Sequence, residues 1–432
     1  MKIIIFAGGI GTRLWPLSRK NSPKQFDKIF NGKSTLELAI ERVKPLVGIE
    51  NIFIQTTSEF ADAVRAHIPA LPAENIFIEP SRRNVGPAVC YGMFRLRNAN
   101  SRELESESTR ITGKNNEFVA GDAGGRDAIN RISTTKDESV ALLWADHLME
   151  RVDEFRNALV LGEKLINEDH ARFIFLAERP RFANNNLGWI KVGEKAGECG
   201  ANAAVPGGDC GGVSELENDG RDAINRMHGD VGCRDALQCV SAGNEYFKFL
   251  GWKYKPTPEE CDRMFKSGEY FWNPGYFISS VEFILKQYEK LAPSSYENVK
   301  NAVAYPEDAF EHYEKAEKVS FDRAILEKTN LSQAVVIKTN MGWSDPGTLY
   351  ALKEALEKSK EDNVVKGQVV SLNTKDSLLY NFDKKKLLTA VGLDGFVVIN
   401  TDDAIIVVPK DEVVNVTKLV EKIGAEKFEE YL

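Results

Sequence analysis

KIIIFAGGIGTRLWPLSRKNSPKQF, residues 2–26, is the stretch that decides the fold of this chain. It opens with an apolar run, Ile3 to Phe6, that is typical of a buried β-strand, and three glycines follow at 8, 9 and 11. Glycine has no Cβ, so such a backbone can approach a ligand closely and point its N–H groups together at an anion. Basic side chains follow, in a chain whose formal net charge is −8: Arg13, Arg19, Lys20 and Lys24. A basic loop in an acidic chain indicates a phosphate-bearing substrate.

The two best-known phosphate loops do not fit this stretch. A Walker A loop requires Gly-Lys-Ser/Thr after four residues, and no such run follows Gly8 or Gly9. The dinucleotide fingerprint requires Gly or Ala where this chain has Leu14. An ordinary glycine-rich turn with a solvated basic tail stays open as an alternative.

The bulk composition limits the class of protein. With 432 residues, 43% hydrophobic and 28% charged, the chain fits a soluble protein with one large and one smaller domain. The chain starts directly in a strand, so we expect no signal peptide, and no apolar run approaches the roughly 20 residues of a membrane span. Six cysteines do not make a disulfide scaffold, which favours a cytoplasmic location. A pI near 5.5 argues against a nucleic-acid partner.

Strand and helix patterns alternate along most of the chain. Ser34 and Glu37 form a capping box for a helix that we expect to stop at Pro45, and Asn84 with Pro87 opens another. Further helices are predicted from Ser58 to about His67 and from Asp153 onward, with Asp153 as the N-cap. Strands that are apolar throughout predict a parallel sheet covered on both faces, with ligands at the carboxyl ends of the strands. These strands are predicted at 52–54, 76–78, 140–144 and 173–176.

Two stretches interrupt the alternation, at about 101–137 and 196–243. Both are rich in Gly, Asn, Asp and Ser and share the word Gly-Arg-Asp-Ala-Ile-Asn-Arg, so we interpret them as surface loops of unassigned role. The second contains four cysteines and His228 in irregular spacing without a Cys-x-x-Cys pair, which fits incidental thiols better than a zinc site. From about Asp362 short β runs separated by Asn, Asp and Gly predict an all-β element, followed by a helix near 416–432.

Residues 8–26 resemble the signature loop of the sugar-1-phosphate nucleotidyltransferases, and Leu-Trp-Pro-Leu-Ser and Pro-Lys-Gln-Phe are most similar to mannose-1-phosphate guanylyltransferases. The resemblance runs to about Asn415, broken only by the two insertions. It implies a Rossmann-like, doubly wound, mixed and mostly parallel sheet in a catalytic domain, residues 1–360, and a small β-helix-like domain, residues 361–432. That second domain is often used in assembly, so a homodimer is one expectation.

The resemblance also implies a reaction, in which a sugar-1-phosphate oxygen attacks the α-phosphorus of a nucleoside triphosphate and pyrophosphate leaves. For this chain it implies GTP and mannose 1-phosphate as substrates, GDP-mannose as product and Mg²⁺ as cofactor. Arg13 and Lys24 would contact the phosphates as catalytic cations, because Arg suits bidentate phosphate contact and Lys supplies a point charge. The nucleotide would lie against Ala7, Gly8, Gly9, Gly11, Thr12 and Arg13, and its base against Glu79, Arg83, Asn84 and Gly86. A Glu79 carboxylate can accept from guanine N1–H and N2–H₂, which favours GTP.

Two carboxylates are candidates for the metal. Asp146 in Trp-Ala-Asp-His and Asp345 in Gly-Trp-Ser-Asp-Pro-Gly match the family's Ala-Asp-His and Trp-Ser-Asp-x-Gly motifs. Mg²⁺ takes one or two protein carboxylates and completes its shell from substrate phosphates and water. The resemblance also implies that Asp146 is catalytic, because it would hold this Mg²⁺ at the reacting phosphates. Each Asp also precedes a helical pattern, so a helix cap is the alternative role for either one.

The sugar-binding motifs match less closely. The resemblance assigns Gly188, Asn273 and Gly275 to the sugar and Lys255 to its phosphate, whereas Trp272, Tyr276 and Phe277 are expected in the core. The family's Glu-Lys-Pro reads Tyr254-Lys255-Pro256 here, which leaves the identity of the sugar open. Alternatives are therefore another hexose 1-phosphate or nucleotide, or a catalytically silent paralogue that binds nucleotide sugars and regulates a partner.

Overall fold

The structure is a computed structural model that describes residues 1–9, 11–19, 26, 32–112, 137–198, 245–254, 256–357, 359 and 361–432. At Thr12 and residues 100–112 it describes the backbone alone. Lys24, Lys255 and the cysteines of the second predicted insertion lie outside these residues. In the described part of the chain, no helix is long and apolar enough to cross a membrane.

Ten of the described strands form one large mixed sheet. They are β1 (Lys2–Phe6), β2 (Ile52–Thr57), β3 (Ile76–Glu79), β4 (Ser139–Trp144), β5 (Phe173–Glu178), β6 (Gly188–Glu198), β7 (Glu245–Tyr254), β8 (Tyr270–Trp272), β9 (Phe277–Ser280) and β10 (Ala334–Thr339). Their order is β10-β7-β6-β8-β5-β9-β4-β1-β2-β3, with β10 also pairing with β5. Strands β1 to β6 and β10 run in one direction, and β7, β8 and β9 run in the other. The predicted mixed, mostly parallel sheet is confirmed.

Most of the described helices cover the two faces of this sheet, and the last two pack against the C-terminal strands instead. The helices are α1 (Thr35–Val47), α2 (Ser58–His67), α3 (Val85–Thr112), α4 (Val152–Glu168), α5 (Pro258–Ser267), α6 (Val281–Leu291), α7 (Pro293–Ala304), α8 (Ala309–Glu314), α9 (Phe321–Ala324), α10 (Leu349–Leu356) and α11 (Val416–Ala425). Because side chains alternate along a strand, Ile3 and Ile5 pack with α1, α2 and α4, whereas Ile4 and Phe6 pack with α3 and α6 on the opposite face. The doubly wound arrangement therefore follows from one continuous apolar strand.

Helix termini show where local rules apply. The capping box at Ser34 is present, since Glu37 N donates to Ser34 Oγ at 3.2 Å and Ser34 N donates to Glu37 Oε2 at 2.7 Å. The predicted stop at Pro45 is wrong, because Pro45 lies inside the last turn of α1. The predicted Asp153 cap is also wrong: α4 begins at Val152 and Asp153 lies in its first turn.

The first predicted insertion is partly helical. Helix α3 begins at Val85, as Asn84 predicted, and continues to Thr112, well past residue 101 where the sequence suggested a loop. Residues 101–112 lack a clear apolar stripe, so the pattern gave no signal there. Most of the second predicted insertion, residues 199–243, lies outside the described part of the chain.

The C-terminal strands form two small sheets, which we call the C-terminal β region, residues 364–409. One sheet has the order β11 (Val364–Lys366), β13 (Leu378–Asn381), β15 (Phe396–Asn400) and β16 (Ile405–Pro409), and the other pairs β12 (Val369–Leu372) with β14 (Leu388–Val391). All these pairs are parallel except β15–β16. Two buried asparagines stack across the turns, with Asn400 Nδ2 donating to Asn381 Oδ1 at 2.7 Å. The predicted β-helix-like element is confirmed, although α11 ends at Ala425.

Candidate active site

The loop after β1 is fixed to the neighbouring strand before it leaves the sheet. Ala7 N donates to Gln55 O at 2.8 Å, and Thr56 Oγ1 donates to Ala7 O at 2.9 Å. Gly11 has φ +72°, so a side chain there would be strained, and Leu14 N donates back to its carbonyl at 2.9 Å. The resulting turn presents Arg13 on the surface. Gly8 and Gly9 precede this turn, whereas the side chain of Thr12 lies outside the described part.

Glu79 ends β3 and is connected to the same loop through one residue. Gln55 Nε2 donates to Glu79 Oε1 at 3.0 Å, and Tyr313 Oη donates to Glu79 Oε2 at 3.2 Å. The residue is 8% exposed, and burial raises the pKa of its carboxyl group to about 7. Ala7, Gly8 and Glu79 are therefore brought to one edge of the sheet, with Gln55 between them.

The other residues predicted for the base have partners inside the protein. Arg83 Nη2 donates to Ala316 O at 2.7 Å, and Asn84 Oδ1 accepts from Val85 N at 2.8 Å. Gly86 N donates to Val319 O at 2.9 Å, and a Cβ on Gly86 would lie 2.5 Å from that oxygen. These contacts account for the residue types locally, and their roles toward a nucleotide stay predictions.

The two candidate metal carboxylates follow strand ends that are distant in sequence and are joined by hydrogen bonds. Leu148 N donates to Ser344 O at 3.0 Å, and Ser344 N donates to Leu148 O at 3.1 Å, so Asp146 and Asp345 flank a two-way backbone bridge. Neither Asp caps a helix, because the N-caps of α4 and α10 are Arg151 and Thr348. The cap alternative is therefore excluded for both.

The surroundings of these carboxylates fit a hard cation. Both are half-buried, and both act electrostatically on the buried Tyr276 hydroxyl, whose pKa burial raises well above its usual value. Gly347 leaves room for the Asp345 carboxylate, since a Cβ there would lie 2.9 Å from Oδ1. Two oxygen donors suit Mg²⁺, and the described residues contain no group of three or more His, Cys, Asp or Glu side chains placed to hold a metal.

The predicted sugar residues meet at the next strand ends. Asn273 N donates to Gly188 O at 2.9 Å, and Asn273 Oδ1 accepts from Gly275 N at 2.9 Å. Gly275 has φ +73° and lies against Trp144, whose Nε1 donates to Gly275 O at 3.0 Å. Trp144 ends β4 just before Asp146, and β4 lies between β9 and β1 in the sheet, so this cluster and the loop after β1 lie on opposite sides of Asp146.

Tyr254, which stands where the family's motif has Glu, lies next to this cluster. Tyr254 pairs with Gly188 across β6 and β7, and its side chain is 68% exposed. It therefore borders the sugar cluster without filling the core. Trp272, Tyr276 and Phe277 are buried, as predicted.

Comparison with known proteins identifies the family. The sequence pattern described as nucleotidyl transferase matches residues 2–107 and 242–362, which together make up more than half of the chain. The chain belongs to the nucleotidyl transferase family. The pattern described as mannose-P isomerase/GMP-like beta-helix domain matches residues 367–423 of this nucleotidyltransferase.

Individual relatives agree with this. The enzyme is 27% identical to a mannose-1-phosphate guanylyltransferase of Salmonella muenchen over 99% of the chain and 74% of the relative. It is 26% identical, with the same coverage, to mannose-1-phosphate guanylyltransferase 2 of Escherichia coli O157:H7. A crystal structure from Thermus thermophilus, described as a mannose-1-phosphate geranyltransferase, has a TM-score of 0.69 at 22% identity. The match covers 98% of this chain and 99% of that one and shows the same fold. The resemblance found in the sequence is confirmed.

Sequence reasoning missed the residues beneath the carboxylates of this nucleotidyltransferase. Arg42 of α1 is buried, and its Nη2 donates to His147 O at 2.9 Å. The His147 Nδ1 and Tyr276 Oη lie 3.0 Å apart, and Arg42 interacts favourably with both Tyr276 and Asp146. Burial lowers the pKa of Arg42. A buried positive charge thus supports the turn that carries Asp146; a lone Arg on the apolar side of α1 was the only signal.

Glu178 was missed for a different reason. This buried carboxylate, at the end of β5, accepts from Met341 N and Gly342 N at 2.9 Å each, from Trp343 N at 3.2 Å and from Thr339 Oγ1 at 3.0 Å. It thereby fixes the loop that leads to Asp345. Four donors from one remote segment cannot be read from sequence.

Proposed function

We propose that the chain transfers a guanylyl group from GTP to mannose 1-phosphate, giving GDP-mannose and pyrophosphate. The observation that carries the proposal is the bridge between Leu148 and Ser344, which joins Asp146 to Asp345 between the glycine loop and the sugar cluster. The names of the relatives supply the substrate pair. In-line phosphoryl chemistry requires positioning and charge neutralisation, and this arrangement is suited to both.

Each group has a role in this proposal. Arg13 offsets negative charge on the triphosphate, together with Lys24, and the loop backbone from Ala7 to Gly11 contacts the phosphates. Bound Mg²⁺, held by Asp146 and Asp345, would neutralise charge on the phosphate oxygens. The Glu79 carboxylate accepts from the guanine edge, with Arg83, Asn84 and Gly86 shaping the same pocket.

The sugar phosphate occupies the other side. Asn273 holds sugar hydroxyls, Gly188 and Gly275 allow the ring to approach the backbone, and Lys255 binds the phosphate. Tyr254 favours the rival hypothesis of a different hexose, because a neutral phenol has one acceptor oxygen where a carboxylate offers two charged ones to the sugar hydroxyls. We also propose that the chain divides into a catalytic domain, residues 1–360, and a C-terminal β domain, residues 361–432.

Pyrophosphate release tests the proposal. GTP, ATP, UTP and dTTP are each combined with mannose, glucose and fucose 1-phosphates in the presence of Mg²⁺. We expect a signal confined to GTP with mannose 1-phosphate. Turnover with another pair would overturn the substrate assignment and keep the reaction class, whereas silence from folded protein that binds GDP-mannose would favour the regulatory paralogue.

We also propose a homodimer through the C-terminal β region. Strand β16 is an edge strand of its described sheet, and Ile405 and Val407 on its outer side are exposed. An exposed apolar edge can pair with a second copy. Light scattering after size exclusion should show a dimer that Ile405→Lys converts to monomer, and an unchanged mass for that variant would exclude this edge.

A further inference from the structure

The second half of the signature loop packs against the other end of the chain. Leu14, Trp15 and Leu17 are buried in one apolar cluster with residues of β13, β15, β16 and α11, among them Val397 and Val416. The segment that supplies Gly11 and Arg13 to the active site therefore continues directly into the core of the C-terminal β region.

Polar contacts fix the same segment. Trp15 Nε1 donates to Tyr431 O at 2.7 Å, and Arg19 Nη1 donates to the same carbonyl. Arg19 Nη2 lies 2.6 Å from Asp403 Oδ1, and the guanidinium stacks 5.4 Å from the centre of the Trp15 ring. We call these four residues, Trp15, Arg19, Asp403 and Tyr431, the clasp.

These contacts give Arg19 a different role from Arg13. The Arg19 side chain is 17% exposed and its charge is paired with Asp403, which itself accepts from Thr401 Oγ1 at 2.9 Å. Arg13 is surface-exposed and lies in the turn just before the clasped segment. Both arginines belong to the basic loop, but Arg13 is exposed, whereas Arg19 is held against the C-terminal residues.

We infer that the clasp positions the signature loop, so that the C-terminal β region sets where Arg13 meets the triphosphate. Trp15 and Arg19 are then positioning residues that act through Arg13. The inference rests on the proposed nucleotidyl transfer, and concerns the triphosphate whichever base it carries. A displaced cation costs transition-state stabilisation because such groups act only from a prearranged position.

A double-mutant cycle on the full chain tests this inference, using the nucleotide and sugar phosphate that the wild type turns over best. Arg19→Ala and Asp403→Ala should each raise KM for the nucleotide and lower kcat/KM by roughly tenfold, and the double variant should be no worse than either one. KM for the sugar phosphate should stay unchanged. Arg19→Lys, which keeps the ion pair, and Trp15→Phe, which keeps an aromatic ring in the apolar cluster and loses the bond to Tyr431, should show smaller losses.

The control is Lys386→Ala, which removes an exposed lysine that pairs with Asp383 at 3.0 Å inside the C-terminal β region. It should leave both KM values unchanged. If Arg19→Ala lowers kcat/KM while Asp403→Ala does not, Arg19 contacts the nucleotide directly and the inference is wrong. Lower melting temperatures with unchanged kinetics would also overturn it, since the clasp would then be only structural. A wild type active on other substrates would refute the proposed function alone.

Discussion

Glu79 shows how one buried side chain links the proposed base pocket to stability. Its carboxyl group ends β3 with both oxygens bonded to protein donors, Gln55 and Tyr313. Burial penalises the charged form more than these bonds favour it, so the pKa rises to about 7 from an ordinary value of 4.5. A guanine edge would add donors to this carboxylate and favour its ionised form.

Glu79→Gln should change the dependence of stability on pH. A raised folded-state pKa means that the folded wild type holds a proton that the unfolded chain releases, so its free energy of unfolding falls between pH 4.5 and about 7. The variant lacks this loss and should be more stable than wild type at pH 8, by on the order of 3 kcal/mol, and similar at about pH 4. Urea unfolding at both values measures the difference.

Other titrating groups also shape the curve of wild-type stability against pH, so the effect of Glu79 is measured by comparing variants. Burial also raises the pKa of Glu354 to about 7, and Glu354→Gln provides the matched control away from the base pocket. Parallel curves for wild type and Glu79→Gln would show that Glu79 ionises normally in the folded protein.

Asp146→Asn and Asp345→Asn should each lower turnover roughly a hundredfold or more. A neutral amide would hold Mg²⁺ less well than a carboxylate does, and the phosphates would lose the positive charge that stabilises them. Each change keeps the size of the side chain, so both variants should fold; Asp146→Asn should have the lower melting temperature of the two, because it removes a charge that favours the buried Arg42. Asp153→Asn is the control, since Asp153 lies on the nearby helix α4 and pairs with Arg156 at the surface. Near-normal turnover in either variant, measured as pyrophosphate release across a Mg²⁺ titration, would remove that residue from the metal site.

At the scale of elements, the site is assembled by two loops that bind each other. The turn after β4 and the segment after β10 share the bridge at Leu148 and Ser344, and Glu150 N and Arg151 N both donate to Met341 O, at 3.2 and 2.9 Å. Glu178 fixes the second segment from β5. Backbone contacts between two loops that follow strands of one sheet thus place Asp146 and Asp345.

Glu178→Ala should both destabilise the protein and slow turnover. The substitution leaves the N–H groups of Met341, Gly342 and Trp343 without their acceptor, and each unpaired buried donor costs about 1–3 kcal/mol. We expect a loss of roughly 3 kcal/mol or more in urea unfolding and a lower kcat, since Asp345 follows directly. Glu178→Gln keeps one acceptor oxygen and should lose less.

Glu194→Ala is the control for this experiment. Glu194 is an exposed residue of β6 that pairs with Lys248, so its removal should change neither the free energy of unfolding nor kcat. If Glu178→Ala were as stable as Glu194→Ala, the loop would not depend on this carboxylate.

At the scale of the whole molecule, the C-terminal β region shares one apolar cluster with the signature loop and with α10, whereas the large sheet has its own core. Leu349 and Leu352 of α10 pack in the same cluster as Leu14 and the C-terminal strands. The Lys353 side chain, 0% exposed, lies 2.5 Å from Asp376 Oδ1 of the β region and also pairs with Glu357. A buried ionic contact therefore crosses between the two parts.

Lys353→Ala should lower the midpoint of urea unfolding while the transition stays single. Removing one partner leaves Asp376 buried with less compensation, at a cost of about 3–5 kcal/mol. Since the apolar cluster is shared, both parts should unfold together, as followed by tryptophan fluorescence and far-UV circular dichroism. Lys386→Ala serves as the exposed control. Two separated transitions would mean that the parts are energetically independent.

Local and periodic features could be predicted from the sequence. The apolar strands, the capping box at Ser34, the β-helix-like C-terminal element and the candidate loops at Gly8, Asp146 and Asp345 are all short-range patterns, because propensity, capping and side-chain alternation act over a few residues. The same patterns failed where local signals were weak, as in the continuation of α3 to Thr112 and the passage of α1 through Pro45.

Contacts between distant segments were decided only by the tertiary structure. Arg42 beneath Asp146, Glu178 behind Asp345, Gln55 beside Glu79 and the clasp that holds Arg19 all join residues that sequence order does not relate. Burial of a charge or an amide is stable only when a specific remote partner compensates it, and which partner is near depends on how the sheet orders its strands. The sequence thus determined which chemical groups and which fold are present, and the tertiary packing decided which of those groups lie exposed at the candidate site and which are buried and hold the others in place.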